Sequence, residues 1–143
     1  MEAKRVLVIN GANMDLLGKR DAKALGTDTL ESIMDEFVAY ATKLGVEAVT
    51  YQSNSESDII NLMHEAMHTF DGIIINPGSF GHYSIGLKEA IDAFQIPCIE
   101  VHLANFFRKP ENKSVIASVC RGIVCGYGKE SYKVALDGLV KIM

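Results

Sequence analysis

The chain has 143 residues, of which 48% are hydrophobic and 22% are charged, and its formal net charge is -4. This length predicts a single domain, residues 1–143, with a sizeable buried core. An acidic chain without basic runs argues against nucleic acid as a partner, because phosphate binding needs clustered lysine and arginine. The apolar stretches are far shorter than the roughly 20 residues that span a bilayer, so no membrane partner is expected.

Strand and helix patterns alternate along the chain. Apolar runs at residues 6–9, 48–51, 73–75, 98–99 and 122–125 predict five strands, of which the fourth is expected to span about 97–101 and the fifth about 117–125. Apolar residues at three-and-four spacing predict the helices. Asp28 with Glu31 resembles a capping box for the first helix, Gly45 ends it, and Ser53 with Glu56 marks the start of the second. This alternation predicts an α/β fold, a flavodoxin-like doubly wound five-stranded parallel sheet of order 2-1-3-4-5 in three α/β/α layers.

The cysteines and histidines predict neither a disulfide framework nor a metal site. Cys98, Cys120 and Cys125 are odd in number, and no secretory h-region precedes the first strand, which favours free thiols in a reducing cytoplasm. No histidine stands at zinc-ligand spacing from the cysteines. His64 and His68 lie one helical turn apart, but their polar neighbours favour a solvated helix face.

Polar residues stand at the ends of the predicted strands: Asn10, Gln52, Asn76, the pair Glu100 and His102, and Tyr127. In an open parallel sheet, ligands bind outside the carboxyl ends of the strands. Amides, a carboxylate and an imidazole at one edge therefore predict a polar site for a small molecule, and an enzyme rather than a structural module.

Two of the loops at this edge offer polar groups without a nucleotide fingerprint. Residues 10–21 carry two amides, two carboxylates and Arg20, but neither G-x-G-x-x-G nor a Gly-Lys-Ser/Thr ending. Turn and cap chemistry is the alternative interpretation of the amides, and Arg20 alone would suit an ordinary surface. Residues 76–84 join a strand to a helix start, where backbone N–H groups favour an anion, and His82 could bind a substrate hydroxyl or cap the helix.

Glu100 and His102 lie two residues apart on a strand and so share a face. A carboxylate beside an imidazole fixes the tautomer of the ring, as proton transfer requires. A structural ion pair at a strand end is the alternative.

Taken together, these segments resemble the type II 3-dehydroquinate dehydratases. The resemblance rests on motifs in order along almost the whole chain: Asn10-Gly11-Ala12-Asn13 through Leu17-Gly18-x-Arg20, Gln52-Ser53-Asn54, Asn76-Pro77-Gly78 leading to His82, Glu100-Val101-His102-Leu103-x-Asn105, and Gly126-Tyr127-Gly128. It implies reversible loss of water from 3-dehydroquinate to give 3-dehydroshikimate, by anti elimination through an enolate, without metal or organic cofactor.

The resemblance also implies residue roles. His102, held by Glu100, would protonate the departing hydroxyl, Asn13 would stabilise the enolate through water, and Arg20 would acidify a tyrosine base. The implied substrate-binding residues are Asn10, Asn76, His82, the main-chain amides near Leu103 and Ala104, and Arg108. Glu89 stands where the family has an aspartate that reaches a neighbouring subunit's site. A cytoplasmic homo-oligomer, trimers assembling into a dodecamer, is expected.

Besides Glu89, the chain departs from the family pattern at four positions: Leu25 replaces the tyrosine base, Glu111 the anchoring arginine, Ala104 a serine and Gly81 a threonine. Tyr83, Tyr127 or a neighbouring subunit could supply a base, and Arg108 or Lys113 an anchoring cation. Two alternatives therefore stay open beside the dehydratase: an enzyme of the same fold acting on another small cyclic or polyhydroxy keto acid, and a non-catalytic homologue.

Overall fold

The structure is a computed structural model that describes residues 2–19, 23 and 27–143. Its strands are β1 (Lys4–Asn10), β2 (Val46–Gln52), β3 (Gly72–Asn76), β4 (Cys98–His102) and β5 (Gly122–Cys125). The α-helices in the described part are α1 (Leu30–Lys43), α2 (Glu56–Ala66), α3 (Ile85–Ala93) and α4 (Ser131–Leu139). Short 3-10 turns occupy several of the connections.

The five strands form one parallel sheet in the order β2-β1-β3-β4-β5, as predicted. The register pairs Asn10 with Gln52 on one side and with Asn76 on the other. The polar strand ends are therefore aligned in one row, which brings the loops that follow them together at one edge of the sheet.

Helices cover both faces of the sheet, which confirms the three-layer, flavodoxin-like architecture. On one face, α1 and α4 bury Phe37, Tyr132 and Leu136 against alternate strand residues such as Val8 and Ile74. On the other face, α2 and α3 bury their apolar side chains against the intervening strand residues, among them Ile59, Met63, Leu87, Ile9 and Ile75. Strands buried on both faces explain the unbroken apolar runs in the sequence.

Three predicted element boundaries were wrong. Residues Ala117–Val119 form a 3-10 turn, so β5 begins only at Gly122, where pairing with Ile99 of β4 starts. The first helix is capped by Thr29, whose hydroxyl accepts from the Ser32 N–H, and not by Asp28. The second is capped by Ser55, while the Ser53 hydroxyl instead accepts from the Ser55 N–H. Gly45 does end α1, with a left-handed φ of 75°.

No helix in the described part of the chain is both long enough and apolar enough to cross a bilayer.

Candidate active site

The loops after β1 and β3 form a closely packed platform at the carboxyl edge of the sheet. The Gly11 N–H donates to the Asn76 carbonyl at 2.7 Å. A Cβ at Gly11 would overlap the carbonyl oxygen of Pro77, and one at Gly78 would lie 2.5 Å from the carbonyl oxygen of Ala12. Gly78 also has a left-handed φ of 59°. Glycine is therefore required at both positions, because any side chain would push the two loops apart.

Asn13 is held on this platform in a left-handed conformation, with φ of 65°. Its backbone N–H donates to the side-chain oxygen of Asn54 at 2.8 Å. The Gln52 amide donates to that same oxygen at 3.0 Å and to the Gly11 carbonyl at 3.2 Å. Gln52 and Asn54, both part of the predicted motif, thus support the loop that carries Asn13.

Asn10 and Asn76 are joined through the phenol of Tyr132. The Asn76 amide donates to the Tyr132 oxygen at 3.2 Å, and the Tyr132 hydroxyl donates to the Asn10 side-chain oxygen at 2.6 Å. All three side chains are buried. Burial raises the pKa of Tyr132 far above its ordinary value, against a smaller lowering by the Asn76 hydrogen bond, so its hydroxyl stays a donor.

This network holds the Asn10 side chain away from the main cavity. Asn10 is fully buried, its amide points toward the Met34 sulfur at 3.5 Å, and it does not line the main cavity. It borders only a smaller cleft of about 440 Å³ beside β2. The physical reason is the strand pleat: the residue at the end of a central strand points into the layer between sheet and helices. Nothing in the sequence indicated that Tyr132 would join Asn10 and Asn76 in this hydrogen-bond network.

Glu100 and His102 form a buried pair on one face of β4, as the two-residue spacing predicted. Glu100 Oε2 lies 2.6 Å from His102 Nε2, and Glu100 Oε1 accepts from the Ser114 hydroxyl at 2.8 Å. Because a carboxylate only accepts, Nε2 carries a hydrogen and Nδ1 is left as the nitrogen available to a ligand. Glu100 is fully buried and His102 is 9% exposed, so this pair is shielded from bulk water.

Phe106 lies between the two histidines of the site, a feature that the sequence did not reveal. Its ring stacks on His102 with centroids 4.2 Å apart and on His82 at 5.4 Å, each at an interplanar angle of 24°. His82 Nδ1 lies 3.0 Å from the Lys113 carbonyl and donates to it, which leaves Nε2 free as an acceptor. An aromatic residue in a loop of unknown conformation gives no signal by which such a contact could be predicted.

These groups surround one cavity of about 730 Å³. Of the predicted site residues, it brings together Asn13, Asn76, His82, His102, Leu103, Ala104 and Arg108. Sequence reasoning missed five further lining residues: Lys23, Ser79, Phe106, Lys109 and Asn112. These seven predicted residues therefore share one cavity.

Other predicted residues lie elsewhere. Arg20 and Leu25 fall outside the described residues. Glu89 is exposed on α3 and is not part of this chain's cavity. Tyr83 and Tyr127, considered as replacement bases, are 57% and 64% exposed and do not line the cavity either.

The charge of the cavity suits an anionic ligand. Lys23, Arg108 and Lys109 contribute to its wall, and among the described residues that line it there is no aspartate or glutamate. Across the described ranges, no group of three or more histidine, cysteine, aspartate or glutamate residues is arranged to hold a metal ion.

Comparison with known proteins assigns the chain to a family. The family model described as "Dehydroquinase class II" matches residues 4–140. The chain belongs to this class II dehydroquinase family. A protein of Bacillus licheniformis named 3-dehydroquinate dehydratase is 44% identical over 134 residues, covering 92% of each chain. One of the same name from Caldanaerobacter subterraneus is 46% identical over 135 residues, covering 93% of this chain and 91% of that one.

Solved structures agree with the class II dehydroquinase assignment. A type II dehydroquinase from Butyrivibrio crossotus superposes with a TM-score of 0.95 at 35% identity, covering 98% of this chain and 99% of that one. One from Propionibacterium acnes gives 0.93 at 31% identity, covering 97% of each. The predicted family and fold are thus both confirmed.

Proposed function

We propose that the chain is a 3-dehydroquinate dehydratase, a hydro-lyase of the shikimate pathway that converts 3-dehydroquinate to 3-dehydroshikimate and water. The observation that carries this proposal is the buried Glu100–His102 pair, with its 2.6 Å contact, at a cavity lined by amides and cations. The family membership and the names of the relatives give the reaction that this pair would serve.

In this proposal, His102 is the general acid. Its imidazolium would donate the Nδ1 proton to the hydroxyl that leaves as water. The Glu100 carboxylate would stabilise the charged ring before the transfer and keep hydrogen on Nε2 afterwards, as a base-orienting carboxylate does. Because Ser114 holds the second carboxylate oxygen, Glu100 has a fixed orientation toward the ring.

The same cavity offers groups for each polar part of the substrate. We assign the substrate carboxylate to the main-chain amides near Leu103 and Ala104, with Arg108 as the accompanying cation. Asn76, whose amide Tyr132 orients, and His82, whose Nε2 is free, would bind substrate hydroxyls. Asn13 would stabilise the enolate oxygen through a bridging water.

The proton-abstracting group differs from the family pattern, since Leu25 stands where the family has its tyrosine. We assign this step to Lys23, the cavity-lining residue nearest to Leu25 in sequence. An amine accepts a proton only in its neutral form, so turnover should rise with pH until the general acid loses its proton.

The proposal includes a cytoplasmic homo-oligomer, trimers assembling into a dodecamer, in which Glu89 reaches a neighbouring subunit's site. Its exposed position on α3 supports a role outside its own chain. The partner is a small carboxylic acid, and the chemistry requires no metal or organic cofactor. Light scattering after size-exclusion chromatography measures the oligomeric state. If a Glu89→Lys variant stays assembled and turns over normally, Glu89 has no role in a neighbouring subunit's site.

The decisive experiment follows the enone absorbance of dehydroshikimate after purified protein is mixed with dehydroquinate. His102→Ala should lower kcat by about 10²- to 10⁴-fold, the usual contribution of a general acid. His68→Ala, at an exposed histidine on the surface after α2, is the matched control and should leave kcat unchanged. Equal rates for the two variants would refute the role of His102, and absence of turnover in the unmodified protein would refute the function.

Lys23 has its own test in the same assay. Lys23→Met should reduce kcat at all pH values and remove its rise with pH, whereas Lys88→Met on α3 should not. A Lys23→Met variant with unchanged kcat would exclude Lys23 as the base. Leu25→Tyr should then raise turnover, because it restores the tyrosine that the family places there.

A further inference from the structure

Phe106 is stacked against both histidines of the site. The residue is 8% exposed, and its ring centroid lies 4.2 Å from that of His102 and 5.4 Å from that of His82, in near-parallel stacks. The Asn112 side-chain amide donates to the Phe106 carbonyl at 2.8 Å. The ring is thus a built part of the cavity wall.

We propose that Phe106 is a positioning residue that sets the ring plane of His102 and stabilises its protonated form. This inference rests on the proposed function of His102 as the general acid. The hydrogen bond from Nε2 to Glu100 restrains the imidazole along one direction within its plane, but it leaves the ring free to turn about that bond. A phenyl ring stacked on the imidazole face supplies the missing perpendicular restraint.

The stack also acts on the charge of the acid. The face of a phenyl ring is electronegative and attracts a cation held above it within about 6 Å. Among the described residues, Glu100 contacts His102 directly and favours the imidazolium. The groups that oppose it are His82, whose ring also stacks on Phe106, and the cavity-lining cations Lys23, Arg108 and Lys109.

Phe106 therefore affects the Nδ1 proton of His102 in two ways. It holds Nδ1 in a fixed direction toward the substrate, and it separates two imidazoles that would otherwise repel each other when charged. Phe106→Leu keeps an apolar side chain of similar volume but removes the π face. The loss of stacking should lower kcat about two- to tenfold and should move the alkaline limb of the kcat profile to lower pH by about half a unit to one unit.

Two variants make this test specific. Phe106→Tyr keeps the aromatic face and should restore both kcat and the alkaline limb. Phe107→Leu, a change of the same kind at the half-exposed neighbouring residue, should alter neither. A purely structural role for Phe106 would lower activity in the leucine variant without moving the pH limb, and that result would overturn the proposal.

A second readout is independent of turnover. With histidine labelled for NMR, the carbon-bound ring protons of His102 should show the upfield shift that a stacked phenyl ring causes. This shift should vanish in Phe106→Leu and remain in Phe106→Tyr and Phe107→Leu. If the unmodified protein does not turn over dehydroquinate, the proposed function fails, yet this shift still tests the stack. Identical His102 spectra in the leucine and unmodified proteins would refute the inference itself.

Discussion

Removing one oxygen atom from Tyr132 should destabilise the fold and weaken substrate binding together. The Tyr132 hydroxyl donates to Asn10 at 2.6 Å and accepts from Asn76 at 3.2 Å, and all three side chains are buried. Tyr132→Phe leaves an oxygen acceptor and an N–H donor unsatisfied. At about 1–3 kcal/mol for each unsatisfied buried group, with partial relaxation, the free energy of unfolding should fall by about 2–4 kcal/mol.

Urea unfolding measures this change, and the slope of the transition should stay constant while its midpoint falls. Tyr40→Phe is the matched control, because it removes a hydroxyl that bonds Asp137 at 2.6 Å on the exposed surface. That variant should unfold like the unmodified protein. In the activity assay, Tyr132→Phe should raise KM for dehydroquinate, since the Asn76 amide loses the partner that orients it. A Tyr132→Phe protein with unchanged stability would refute the argument that this network is a buried, mutually dependent unit.

Three further predictions follow from the site, the platform and the thiols. Glu100→Gln should lower kcat about 10²-fold or more, because an amide can donate to the imidazole and so reverse its tautomer; unchanged kcat would contradict the pairing. Gly11→Ala should destabilise the protein to urea because its methyl group would meet backbone, whereas Gly138→Ala on α4, with open space around it, should stabilise it by about 0.5–1 kcal/mol. In native alkylation followed by mass spectrometry, Cys98 should react after Cys125, since the interaction of its S–H with the Cys120 thiol and its burial together raise the pKa of the Cys98 thiol; equal rates would contradict this.

The sheet was predictable because its order follows from local patterns. Alternating strand and helix periods, with right-handed crossovers, leave few topologies, and the observed order is the default one. The start of β5 was not predictable, because the sequence does not say which residues before the apolar run at 122–125 pair with a neighbouring strand. The N-caps of α1 and α2 were mispredicted for a similar reason. Several residues that could cap a helix precede each of these two helices, and only the backbone geometry selects one of them.

The candidate site was predictable where strand geometry fixes direction. The pairing of Glu100 with His102 follows from the two-residue repeat of a strand, and the structure contains it. The same repeat does not say which layer a strand-end residue enters, so the burial of Asn10 behind the cavity could not be predicted. Phe106 and Tyr132 reach the site from a loop and a distant helix, and their contacts depend on tertiary packing that no local pattern encodes.

Gly11 lies against the backbone of Pro77, and Gly78 lies against the backbone of Ala12. Because of this packing, the two parts of the cavity wall should differ in how well they tolerate substitutions. The part that carries Asn13 and Asn76 is locked by backbone against backbone, so it tolerates almost no change in volume. The segment from residue 103 to residue 114 is attached chiefly by contacts that involve side chains: Ser114 with Glu100, His82 with the Lys113 carbonyl, and the stacked ring of Phe106 with His102. Attempts to change the molecule that this protein accepts should therefore vary that segment and leave the glycine-bearing loops intact.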